Sequence, residues 1–62
     1  MPADYNLLLL ASDFRVRAVD ILARAERTHD ADARRMLRGV AAGYERLAQH
    51  IEQQSADKAD GK

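Results

Sequence analysis

Thr28-His29-Asp30-Ala31-Asp32 lies at the middle of a 62-residue chain and separates two long amphipathic helical patterns. Asp30 has the side chain of an N-cap, able to accept a hydrogen bond from a backbone N–H of the turn that follows, and Asp32 suits the positive end of the new helix dipole. The chain therefore reads as an all-α, antiparallel two-helix hairpin. Two helices share a single mutual contact, so apolar surface outside that contact must be covered by another chain or stay exposed. A homodimeric four-helix bundle follows as the expected assembly. One long continuous helix is the competing reading, because residues 28–33 contain no proline or glycine.

Upstream of the turn, Pro2 and Asp4 mark a start near Tyr5, and the first helix is expected to run to about Arg27. Steps of about 100° place Leu7, Ala11, Phe14, Ala18, Ile21, Leu22 and Ala25 on one face. Asp13, Arg17, Asp20, Arg24 and Arg27 fall on another side, where Asp13 to Arg17 and Asp20 to Arg24 are i,i+4 pairs in the favourable order. A second apolar group, Leu8, Val16, Val19 and Ala23 with Leu9 at its margin, lies about 100° or more from the first stripe. One partner helix cannot cover both groups. The second group is thus expected at an interface, each buried aliphatic side chain contributing about 1.5–3 kcal/mol before ordering costs. The bland alternative is a set of scattered surface hydrophobes.

Downstream of the turn, the second helix is expected over about 31–54, with Ala33, Met36, Leu37, Val40, Ala41, Tyr44, Leu47, Ala48 and Ile51 on its core face. Gly39 and Gly43 each cost about 1 kcal/mol relative to alanine there. With facing residue numbers adding to about 60, Gly43 falls near Ala18 and Gly39 near Leu22, and close helix approach is the expected compensation. A hinge or ligand-contact role is the other reading of these glycines. Residues 55–62 carry no large side chain, and a disordered tail is expected there. The oligomer interface is assigned to Leu8, Val16, Val19 and Ala23 together with Phe14, Ile21, Val40, Tyr44 and Leu47.

Composition bounds the function. Ten basic and ten acidic residues cancel, so no global field draws in nucleic acid or anionic lipid, and no cysteine is present to form a disulfide or act as a nucleophile. The apolar run Leu7 to Ala11 is far short of the roughly 20 residues of a membrane span, and no basic residue precedes it as in a signal peptide; a cytoplasmic protein is expected. His29 and His50 are separated by roughly 30 Å of helix and share no site within one chain. A cross-subunit metal site joining them with Asp30, Asp32 or Glu52 is the weaker alternative. Ser12 and Ser55 have no nearby histidine. The expectation is a protein that is not an enzyme and has no metal or cofactor.

The basic residues give the other functional reading. Between residues 15 and 46 eight arginines face five acids, and Arg24, Arg27, Arg34, Arg35 and Arg38 gather at the turn end, where they could contact nucleic acid. Interleaved acids and few aromatics favour solvated, salt-bridged faces instead. The preferred function is an interaction or adaptor protein that self-associates and offers helix faces to a protein partner.

Residues Arg17-Ala18, Leu22, Ala25-Glu26, Asp30 to Arg34, Met36-Leu37, Ala41, Tyr44-Glu45, Leu47-Ala48 and Glu52 resemble a pattern in small helical-hairpin proteins of alphaproteobacteria. Those proteins carry Arg-Ala, Ala-Glu, Asp-Pro, Arg and Tyr-Glu-x-Leu-Ala at these spacings. The likeness covers about 36 residues. Ala31 departs from it, standing where that pattern has proline. The resemblance implies a hairpin of bacterial origin and no catalytic residue. In length and architecture the chain is also similar to Rop-type plasmid regulators, hairpins that pair into four-helix bundles and bind RNA through helix faces. Fold does not imply function, and the aromatic pattern of RNA contact is not found here, since Phe14 falls on the core stripe.

Overall fold

The computed structural model describes residues 2–61, with side chains placed from 5 to 57. Helix α1 spans Pro2–Arg27 and helix α2 spans Ala31–Gly61. The two pack along their length as a rod about 49 Å long, close to the ~46 Å expected for a 31-residue helix at 1.5 Å per residue. The three-residue break between two helices that pack along their length makes them antiparallel, and the contacts of Phe14 with Tyr44 and of Arg15 with Glu45 set facing numbers adding to about 60.

The break between the helices is short and needs no glycine, since no described residue has a positive φ. Thr28 closes α1 twice. Its N–H donates to the Ala25 carbonyl at 3.1 Å, and its hydroxyl donates to the Arg24 carbonyl at 2.8 Å. Asp30 holds the N-cap position of α2, its carbonyl accepting the Arg34 N–H at 2.9 Å. The Arg34 guanidinium then reaches back over the turn and donates from Nε and Nη2 to the Thr28 carbonyl, at 3.2 and 3.0 Å. Arg24 and Arg27 in the last turn of α1 and Asp32 in the first turn of α2 match the helix dipoles. The continuous-helix reading is therefore set aside.

The seam between the helices is made of small residues. Ala11, Ala18 and Ala25 of α1 and Ala41, Ala48 and Ser55 of α2 are buried, each set at intervals of seven. A heptad interval returns to nearly the same face of a helix, so each set forms one narrow line, and a line of methyl groups lets two backbones approach toward the short end of the usual ~8–10 Å separation. No large side chain is fully buried among the described residues.

Three expectations change as a result. Leu22, Met36, Val40 and Leu47, assigned to the core stripes, are 40–65% exposed, because a partner helix drawn in close covers only a narrow sector. Gly39 and Gly43 do not serve close approach to α1: a Cβ built at either meets nothing within 4 Å. Residues 55–61 continue α2 as helix, where a disordered tail was expected to follow Gln54. The lack of large side chains there was misleading. A seam of small residues needs none, Ser55 continues the line of Ala41 and Ala48, and α1 begins at Pro2 instead of near Tyr5, so it supplies the opposing turns.

Candidate interaction surface

A two-helix hairpin has two broad sides flanking its seam, and here they differ in chemistry. On one side the Phe14 and Tyr44 rings stack with centroids 5.7 Å apart and planes 26° from parallel. Ile21 beside Phe14, and Leu37 and Ile51 beside Tyr44, are half-buried by helix periodicity on the same side. Leu10, Val40 and Leu47 lie at its margins and are nearly half exposed. An aromatic pair of this kind contributes about 0.5–1.5 kcal/mol beyond its area, yet both rings keep solvent contact.

On the other side Arg15 closes the helices by charge. Its guanidinium grips Glu52 through two parallel bonds, Nη2 to Oε1 at 2.7 Å and Nε to Oε2 at 3.1 Å, and its Nη1 donates to Glu45 Oε1 at 2.9 Å. This fork geometry is the arrangement that makes arginine–carboxylate pairs directional. The hydrogen bond from Arg15 holds the Glu52 carboxyl below its ordinary value, partly opposed by desolvation, and the same bond raises Arg15 above its own. All three side chains are close to 40% exposed, so the cluster orients the helices more than it stabilises them. The sequence alone suggests solvated, salt-bridged faces without identifying this bridge between the helices. The available signal is that Glu45 stands opposite Arg15 in this register and Glu52, one heptad on, shares its face.

The second apolar group lies away from both helix contacts. Val16 and Val19 are 65% and 63% exposed, Leu8 is half exposed, and Ala23 is exposed. Val16, Val19 and Ala23 line a shallow, mainly apolar groove on the outer back of α1, edged by Ser12, Arg15 and Asp20. The nine residues assigned to an oligomer interface thus divide into two surfaces. Phe14, Ile21, Val40, Tyr44 and Leu47 belong to the aromatic side, and Leu8, Val16, Val19 and Ala23 to the back of α1.

The arginines at the turn end do not converge. Arg34 is engaged by the Thr28 carbonyl, Arg24 lies 3.9 Å from Asp20 on the aromatic side, and Arg38 by periodicity occupies the opposite side. Arg27 and Arg35 are exposed on the outer backs of their helices. His29 and His50 are both exposed, and among the described residues no three His, Asp or Glu side chains are grouped to hold a metal ion. Among those residues, also, no helix is long and apolar enough to cross a membrane. Compared with protein-family models, curated proteins and solved structures, the chain matches none. The likenesses to alphaproteobacterial hairpins and to Rop-type regulators accordingly rest on the residues quoted above, and the hairpin itself is the part of them that the structure supports.

Proposed function

We propose that this protein is a non-enzymatic helical interaction module, which self-associates through a helix face and presents further helix surface to a protein partner. The observation that carries this reading is the core: its buried positions are alanines and one serine, while large aliphatic and aromatic side chains remain partly or largely exposed on two separate surfaces. A buried alanine removes little more than one methyl group from water, at about 0.8 kcal/mol per carbon. Five such residues stabilise a domain of this size weakly, and small folds of this kind are commonly completed by oligomerisation. The partly covered Phe14, Ile21, Tyr44 and Ile51 are the groups whose further burial would supply the missing stability.

The reading is tested by light scattering over a concentration series, with helicity followed in parallel on melting. A dimer or larger species whose melting midpoint rises with protein concentration supports it. A stable, fully helical monomer at all concentrations refutes the self-association.

A further inference from the structure

We infer that a second copy of this chain docks on the aromatic side of the hairpin, related by a two-fold axis perpendicular to the helices, so that α1 lies antiparallel on α1 of the partner and α2 on its α2. This rests on the self-association proposed above and specifies its face and register. Two edges of the aromatic side carry the argument.

The edge on α1 is charged. Asp13, Arg17, Asp20 and Arg24 follow one another at intervals of four, three and four, which keeps them in one row beside Phe14 and Ile21. Arg17, Asp20 and Arg24 line a shallow depression with Ile21 and Tyr44, so the row borders the aromatic side directly. The row alternates in sign, and reversing its direction exchanges acid for base at every position. An antiparallel copy centred between Ala18 and Val19 therefore sets Asp13 against the partner's Arg24 and Arg17 against the partner's Asp20, each pair occurring twice by symmetry. Asp20 and Arg24 are about 70% exposed in the single hairpin and 3.9 Å apart, leaving both free to take a partner across the interface.

The edge on α2 is apolar and small. Met36, Val40, Gly43 and Leu47 recur at the same intervals of four, three and four, and Met36, Val40 and Leu47 are 45–65% exposed. Gly43 is not explained within the hairpin, where an added Cβ has open space, whereas Gly39 shares the outer back of α2 with Arg35. A two-fold centred at Ala41 to Ala42 brings Val40 toward the partner's Gly43 and Met36 toward the partner's Leu47. With facing residues of the hairpin adding to about 60, the point opposite the α1 centre is Ala41 to Ala42, so one axis serves both edges.

The composition of the two edges selects this axis over the alternative. A two-fold parallel to the helices would lay the charged edge of α1 on the apolar edge of α2, desolvating charges without partners. The perpendicular axis keeps charge on charge and apolar on apolar. It also leaves the groove at Val16, Val19 and Ala23 outside the dimer and open to a different protein.

The test is a charge exchange on the full-length chain, followed by sedimentation or light scattering. Asp20→Arg alone and Arg17→Asp alone each replace two attractive contacts by two repulsive ones, and each variant is expected to dimerise about tenfold or more weakly than the natural chain. Mixed together, the two variants restore both pairs across a heterodimer, and the mixture is expected to associate more tightly than either variant alone. Intrahelical effects of the substitutions are the same in the mixture, so recovery reports the contact between copies. Val16→Asp should leave the dimer mass unchanged. Variants that dimerise as tightly as the natural chain, or a mixture no tighter than its components, overturn this pairing while leaving self-association intact. A natural chain that is monomeric throughout overturns the self-association itself.

Discussion

The two broad sides of the hairpin are contributed by the same two helices and meet at the same alanine seam, yet one closes on itself and the other does not. On the polar side a single long side chain, Arg15, spans the groove and satisfies Glu45 and Glu52 together. The aromatic side brings Phe14 onto Tyr44 and leaves Ile21, Leu37 and Ile51 half-covered. Directional charge pairing is complete once its few atoms are matched, whereas apolar burial is proportional to area and continues to favour any further cover. A narrow seam therefore leaves one side joined by charge and the other with its aromatic and aliphatic groups only partly covered.

The largest expected effect comes from the seam that both sides depend on. Ala18→Leu inserts a branched side chain where exposure is 0%, and should destabilise the hairpin by about 1–3 kcal/mol while pushing the helices apart. Chemical denaturation measures it, and an unchanged midpoint would mean that the helices are not held this closely. Next is the aromatic side. Phe14→Ala should cost roughly 2 kcal/mol, below the ~3–5 of a fully buried phenylalanine because the ring is only partly buried. If a second copy covers that side, the loss grows with protein concentration in a melting series; a concentration-independent loss would assign Phe14 to the hairpin alone.

Gly39→Ala is smaller and opposite in sign. The open space around the added Cβ and the better helix propensity of alanine predict a gain of about 0.5–1 kcal/mol in monomer stability. A loss, measured by helicity of the dilute chain, would reveal a contact to α1 that the structure does not contain. The smallest effect belongs to the polar side. The Glu52 carboxyl is held below its ordinary value near 4.5, chiefly by its hydrogen bond from Arg15. Its contribution is present above the unfolded value and is lost as pH falls through the lowered folded value, so acid below about 4.5 should weaken the hairpin. Glu52→Gln should remove that share of the acid limb. An identical acid limb in the variant would show that the ion pair contributes nothing to stability.

Particular residues show how far the sequence could be read. The pattern around Thr28 to Asp32 located the turn to within a residue, and the apolar periodicity identified both helices and the antiparallel register. Leu8, Val16 and Val19, which periodicity sets off the first stripe, are 49–65% exposed. The glycines are a poor guide, since a small residue suggests close approach while the alanines at intervals of seven form that line. The ion pairs of Arg15 are not legible locally because its partners lie 30 and 37 residues away, and only the register sets Glu45 opposite it with Glu52 one heptad beyond.

Local chemistry was sufficient for the elements: helix propensity, dipole matching and a capping residue act over a few positions and are written in the order of the chain. Which part of each apolar stripe would be buried was settled by the distance between the helices. That distance is a property of the pair, set by the methyl groups that happen to face each other. Once Ala11, Ala18 and Ala25 met Ala41, Ala48 and Ser55, the larger side chains were turned to the flanks and left partly exposed there.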